Sequence, residues 1–283
     1  MGALVTEANW NQLAADWRIF VEHGRLFLAQ TPTGRIVAST ATLPYPHATL
    51  PGLQGTGGSG FAWISMVLVA GEYRRRGLAT ALLRQAMDEL ATARLLPALD
   101  ATPEGRAVYR RLGFEDSWGF HRLIRRERQH SSATAAPHAP CTIRPIGDAD
   151  WETLLAYDAS AFGAERGAVL AGLRGRLPAA ELMAERESAM VGFMLGREGR
   201  LAQHVGPVIA ENEAVACALL GRALGALDGP VFVDLADAKT RVRHFLDACG
   251  FDAVRPFTRM LYGTSSRFDD AARTFAVVGP EFG

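Results

Sequence analysis

The 283-residue chain has no surplus of charge of either sign: 30 Lys and Arg stand against 30 Asp and Glu, for a formal net charge of +0. Proteins that coat nucleic acid or lie on anionic membranes need a basic excess, so the balance argues against both partners, and any anion site has to be local. Long apolar runs are missing too. None approaches the roughly 18 residues of a membrane span. The opening "MGALVTEANWNQLAADW" lacks the basic start and apolar core of a secretory signal. Cysteine is scarce: Cys141, Cys217 and Cys249 are widely spaced, with no CxxC pair. That pattern points to buried thiols in a reduced, cytoplasmic protein, not to a disulfide framework. No HExxH and no Cys/His cluster occurs, so no metal is expected.

What is present is ample core material, with 48% hydrophobic residues, and a break near the middle. The stretch "RRERQHSSATAAPHAPC", 125 to 141, is polar and then rich in Ser, Ala and Pro, the composition of a linker. It divides the chain into a first domain (1–128), a linker (129–140), a second domain (141–265) and a tail (266–283). In the first domain Trp10, Leu13, Trp17 and Phe20 recur at helical spacing. "RLFLAQTPTGRIVASTATL" reads as two strands around a turn, and "FAWISMVLVA" as a strand apolar on both faces. Leu78, Leu82, Ala86 and Leu90 make one face of a helix. "LPALDA" is a short strand, "PEGRAVYRRLGF" a short helix ended by Gly113, and a last strand surrounds "WGFHRLIR". The second half repeats this order. "ALL" at 81–83 and "LGF" at 112–114 return as "ALL" at 218–220 and "CGF" at 249–251, with the same offset in both cases.

The densest positive charge, "RRRG", lies between the apolar strand and its helix. A helix start offers unpaired N–H groups and the positive end of its dipole, which together bind anions. Gly77 permits unusual backbone angles, Ala79 leaves its neighbours' N–H groups open, Thr80 adds a hydroxyl, and Arg74, Arg75 and Arg76 supply charge. The combination suits a pyrophosphate. No GK[ST] follows, so this is not a Walker loop, and the junction carries no dinucleotide fingerprint.

The stretch "VLVAGEYRRRGLATALL" resembles the acyl-CoA signature of the GNAT superfamily of N-acyltransferases: a strand ending V-x-P, then Q/R-x-x-G-x-G/A opening a helix. Gly71 stands in place of the usual proline, and Ala79 is the alternative small residue. The resemblance implies that Val67, Leu68, Val69, Arg74, Arg75, Arg76, Gly77, Leu78, Ala79 and Thr80 hold acetyl-CoA. It also implies that Tyr109 faces the thioester sulfur as the acid that protonates the departing thiolate. Trp63, Ser65 and Asp100 are then candidates for the acceptor side. Asp100, Glu72, His121, His204, Asp234 and Asp237 are candidate bases. Tyr45, His47 and the glycine-rich loop to Gly60 are candidates for a lid.

The implied fold is α/β (α+β): two tandem GNAT-like domains, each a mixed, largely antiparallel sheet flanked by helices. In the second, Glu211 and Glu213 replace the arginines, and Leu246 stands where Tyr109 would fall, so the fold persists without the cofactor site. The implied activity is direct acetyl transfer from acetyl-CoA to an amine in a ternary complex. The acceptor is a small molecule or a peptide, and the two domains form an intramolecular pseudo-dimer whose second member closes the acceptor pocket. Homo-oligomer formation is left open. The alternative is a non-catalytic acyl-CoA-binding or regulatory protein.

Overall fold

The structure is a computed structural model that describes residues 2–46, 60–128 and 141–283. The candidate lid residues His47–Ser59 and the linker histidines His130 and His138 lie outside the described residues.

The chain opens with helices α1 (Gly2–Glu7) and α2 (Ala14–His23). Strands β1 (Arg25–Gln30), β2 (Ile36–Pro46) and β3 (Gly60–Val69) form an antiparallel meander. Helix α3 (Leu78–Thr92) leads to β4 (Leu96–Ala101), helix α4 (Pro103–Arg111) and β5 (Phe114–Arg125). The second half runs β6 (Thr142–Pro145), α5 (Trp151–Phe162), α6 (Gly167–Leu173), β7 (Leu182–Arg186), β8 (Ala189–Arg197), β9 (Gln203–Ala210) and α7 (Glu213–Leu224). It continues with β10 (Val231–Ala236), α8 (Thr240–Ala248), β11 (Asp252–Tyr262) and β12 (Thr274–Ala276). The tandem pattern expected from the repeat is present, with β3, α3, β4 and α4 answered by β9, α7, β10 and α8.

The two halves do not keep separate sheets. All strands join one sheet in the order β1-β2-β3-β4-β11-β5-β10-β12-β9-β8-β7-β6. Strand β11 of the second half lies between β4 and β5 of the first, and β5 pairs in turn with β10. Each half thus hands the strand that follows its final helix, β5 or β11, to the other. Periodicity predicts strands but not their partners, which is why this exchange is invisible in the sequence.

The exchange creates two matching buried ion pairs. Arg259 on β11 donates to Asp100 on β4, with Nε–Oδ1 and Nη2–Oδ2 distances of 3.0 Å each. Arg122 on β5 donates to Asp234 on β10 at 2.8 and 2.7 Å. Arg122 and Arg259 are separated by the offset of the repeat, so they are equivalent positions in the two halves. Both pairs are planar bidentate contacts, the strongest geometry for such a bond.

Side-chain alternation along β3 divides the packing. Phe61 and Trp63 enter a large core that both halves share, against Phe162, Leu170 and Phe193 and helix α2's Phe20. Ala62 and Ile64 face the opposite way, toward Leu83 and Leu90 of α3. Tyr45 is not a lid residue. It is 2% exposed, and its hydroxyl donates to the Phe282 carbonyl at 2.7 Å. Residues 264–283 run back through the molecule, placing β12 in the sheet and burying Phe275, Val278 and Phe282.

Removing one member of a buried ion pair strands the other charge. Asp234→Ala, which leaves Arg122 unpartnered, is expected to lower unfolding stability by about 3–5 kcal/mol. Urea unfolding of variant and wild type measures it; a loss no larger than an ordinary surface substitution causes would mean the pair does not hold the exchanged strands.

Candidate active site

Strands β3 and β4 pair in parallel only from Phe61–Trp63 to Leu96–Ala98. Beyond that point they diverge, and among the described residues no strand fills the gap. The β3 edge from Ile64 to Val69 and the β4 edge from Leu99 to Ala101 therefore face an open wedge. The wedge opens into a cleft of about 720 Å³. A bulge against β2 lies within the unpaired stretch of β3: Ala41 pairs with Ser65 but Ser39 with Leu68, and Met66 has φ 52°. Exposed strand edges of this kind are backbone groups ready to pair with an extended ligand.

At one end of the cleft is the helix start singled out above. Gly77 caps α3 with φ 78°, a left-handed angle that favours glycine. Among the described residues no side chain caps this helix, and the N–H groups of Gly77, Leu78, Ala79 and Thr80 donate to no backbone carbonyl. A Cβ on Gly77 would meet nothing within 4 Å, so the approach is clear. Arg74, Arg75, Gly77, Leu78, Ala79 and Thr80 all line the cleft, together with Val67, Leu68 and Val69. Arg76 is not among the lining residues. Its guanidinium donates to the Glu72 carbonyl at 2.9 Å and stacks over Tyr73, 5.1 Å from the ring centre, so it braces the turn. Arg74 also anchors the turn, donating to the Val69 carbonyl at 3.2 Å.

Tyr109 lies further along the cleft, on α4. Thr102 starts that helix by accepting from the Gly105 N–H at 3.3 Å, and Pro103 occupies its first turn. A Cβ on Gly105 would sit 2.9 Å from the Tyr109 ring, so glycine there lets the ring lie against its own helix. Phe114 meets the ring edge-on with centres 6.0 Å apart. Burial pushes the phenol up to about 12, so it keeps its proton at neutral pH.

Of the acceptor candidates, Ser65 and Asp100 line the cleft and Trp63 does not. Trp63 is wholly buried, donates to the Pro280 carbonyl at 2.9 Å and lies under Arg259. Burial pushes Asp100 up to about 6, with Arg259 pulling the other way. Among the candidate bases only Asp100 reaches the cleft. Glu72 is exposed and pairs with Arg35 at 2.6 Å. His121 and Asp237 pair with each other at 2.6 Å. His204 is buried 3.1 Å from Asp234, whose charge it and Arg122 hold well below the ordinary carboxylate range against the effect of burial.

Residues not flagged by any motif also line the cleft: Trp10 and Gln12 before α2, Arg122, Arg255 and Phe257 from the exchanged strands, and Pro280 and Glu281 from the final segment. Their signal is topological, because the two ends of the chain meet here.

The second half has the same wedge, closed. Strands β9 and β10 pair only from Gln203–Val205 to Val231–Val233. Beyond that, β12 fills the gap, pairing with Val208 and Ile209 on one side and Leu235 on the other. Asn212 caps α7 by accepting from the Val215 N–H at 3.0 Å, Glu211 is tied to Arg186, and the Tyr109 counterpart Leu246 is core. Among the described residues, no group of His, Cys, Asp and Glu is arranged to hold a metal, and no helix is long and apolar enough to cross a membrane.

These features agree with what the chain resembles. A model of the acetyltransferase (GNAT) family matches residues 5–114, and a model of the acetyltransferase (GNAT) domain matches residues 154–276. YitH of Bacillus subtilis, an uncharacterized N-acetyltransferase, is 24% identical over 252 residues, covering 88% of this chain and 82% of that protein. The crystal structure of a candidate acetyltransferase from Pyrococcus horikoshii superposes with a TM-score of 0.73 at 19% identity, over 100% of this chain and 90% of the other. A GCN5-related N-acetyltransferase from Sphaerobacter thermophilus gives 0.57 at 14% identity, over 88% and 83%. With a GNAT match in each half and the same architecture in both, the chain belongs to the GNAT superfamily and is a tandem-domain N-acetyltransferase.

Proposed function

We propose that the first half transfers acetyl from acetyl-CoA directly to an amine held in the same cleft, and that the second half binds no cofactor. The observation that carries this reading is the wedge between β3 and β4. It is open, it begins at unpaired helix N–H groups flanked by Arg74 and Arg75, and it passes Tyr109. The residues present fit acetyl-CoA along its length. The N–H groups of Gly77 to Thr80 and the two arginines suit the pyrophosphate, and the free edge from Val67 to Val69 suits the amide-bearing arm. In the second half β12 occupies the corresponding space and Asn212 satisfies the helix start.

Transfer forms a C–N bond and breaks the C–S bond. The thiolate that leaves takes the Tyr109 proton, and the amine gives up a proton for which Asp100, the only candidate base on the cleft, is the assigned acceptor. None of the three cysteines lines the cleft, and burial pushes the Cys217 thiol up to about 11, which disfavours a route through an acetylated cysteine.

Three measurements test the reading. Calorimetry with CoA should find one site per chain, removed by Gly77→Asp, which sets a carboxylate beside the pyrophosphate; CoA seated at α7 instead would overturn the assignment of halves. Tyr109→Phe should lower kcat on the order of 10²-fold or more while leaving acetyl-CoA affinity nearly unchanged, because the ring stays packed and only the proton is lost. Thiol release in an amine panel measures it; an unchanged kcat, with chemistry rate-limiting, removes Tyr109 from the mechanism. Asp100 works ionised, so transfer should rise as pH increases through about 6. A limb that persists in Asp100→Asn would assign it to another group.

A further inference from the structure

Seven charged side chains line the cleft, and six of them have a partner or a task. Asp100 is held by Arg259, Arg122 by Asp234, and Glu281 accepts from Arg197. The Glu104 carboxylate is drawn below its ordinary range chiefly by its own N–H and then by the Thr102 hydroxyl. Arg74 and Arg75 flank the open helix start of α3. Arg255 remains. Among the described residues no carboxylate lies within ion-pair reach of it, and its guanidinium makes no hydrogen bond. What it touches is the ring of Phe257, 4.8 Å from the guanidinium carbon to the ring centre.

An unpaired guanidinium is costly at this place. Arg255 on β11 stands directly opposite Arg122 on β5, and like charges facing each other across a strand pair repel. Arg122 lies on the same Phe257 ring, at 5.5 Å, and takes both oxygens of Asp234 for itself. Burial, and then Arg122, pull the pKa of Arg255 down, the mark of a cation without enough compensation. A guanidinium does not shed its proton, so an anion from outside the chain is what relieves it. Arg255 is half-exposed, so such an anion has a way in. Its position also separates it from the pyrophosphate end. Arg74 and Arg75 follow β3, whereas β11 lies on the other side of β4. On β11, Arg255 is four residues from Arg259, which holds Asp100. Phe257, between the two, lines the cleft as well. One strand of the second half thus runs from the assigned proton acceptor to the unpaired guanidinium.

We propose that Arg255 sets acceptor specificity by binding an oxyanion, a carboxylate or a phosphate, that the acceptor carries in addition to the group it offers for transfer. A guanidinium presents parallel N–H donors to two oxygens at once, and stacking on Phe257 fixes the plane of that fork. The residue that chooses the acceptor then belongs to the second half, while the chemistry belongs to the first. This assignment rests on the reading of the cleft as an acetyl-transfer site.

The test uses the full chain saturated with CoA, which fills the pyrophosphate end and permits binding without turnover. Calorimetry then compares glycine, β-alanine and 4-aminobutyrate each with its amide, and phosphoethanolamine with ethanolamine. In at least one pair the acid should bind about tenfold or more tightly than its neutral partner. Whether a carboxylate pair or the phosphate pair shows the preference identifies the oxyanion. Arg255→Gln should cut that preference to about twofold or less, and Arg255→Lys, which keeps the charge and loses the fork, should retain part of it. Both variants should bind CoA within about twofold of wild type. If Arg255→Gln does not fold, Arg255→Lys carries the comparison. The proposal is wrong if no acid outbinds its neutral partner, or if a folded variant keeps the full preference. It is equally wrong if Arg255→Gln weakens CoA itself about tenfold, which would assign the guanidinium to the cofactor. A wild-type chain that binds no CoA would sink the acetyl-transfer reading first, and the acceptor role of Arg255 with it.

Discussion

The exchange of β5 and β11 between the halves is the constraint on which the rest depends. With β11 between β4 and β5, and β5 against β10, neither half completes its own sheet. Residues 1–128 alone would leave β4 and β5 with facing edges and no strand between them. They would also leave Asp100 buried without Arg259. A buried carboxylate that loses its guanidinium is far more costly than one that never had to be buried, so the two ion pairs act as a lock on the assembled chain. The exchange also carries Arg122, Arg255 and Phe257 to the wall of a single cleft. The second half therefore contributes residues to the cleft that begins in the first.

Two nearly symmetric wedges have been treated oppositely. An open strand edge leaves N–H and C=O groups to water, and each such group buried without a partner costs on the order of 1–3 kcal/mol. In the second half the chain removes that cost itself: the Ala210 N–H donates to the Arg273 carbonyl at 3.0 Å, and the Val277 N–H to the Asp234 carbonyl at 3.1 Å. In the first half no segment does so among the described residues, and the wedge stays wide enough to admit a ligand. The difference between the two halves is thus larger than a few charges at a helix start.

Local chemistry was legible in the sequence and long-range placement was not. The glycine cap, the small residue at position 79, Tyr109 and the element order all follow from spacing within a few helical turns or one strand, where the two periods act. Arg76 could not be separated from Arg74 and Arg75, because what turns it aside is a carbonyl four residues back and a ring three residues back. Trp63 and Ser65 share a parity on a strand counted in twos. What separates them is the end of the β3–β4 pairing: Trp63 is the last β3 residue paired with β4 and stays in the shared core, and Ser65 lies beyond it and meets the cleft. The final segment has no amphipathic pattern of its own. Its partners are Tyr45, Trp63 and Arg197, and the separation from Tyr45 to Phe282 is 237 residues.

That segment joins the two wedges physically. After leaving β11 it first closes the wedge of the second half through β12. Within a few residues it passes beneath Trp63 and Tyr45 and delivers Glu281 to the wedge of the first half. The two tasks are coupled by geometry, since β12 fixes where the chain can go next. Arg197 then sets the direction of the carboxylate by holding one of its oxygens. Filling one copy of the wedge is what brings a charged residue to the lining of the other, so the closed wedge of the second half and part of the open cleft of the first are two consequences of one path of the backbone.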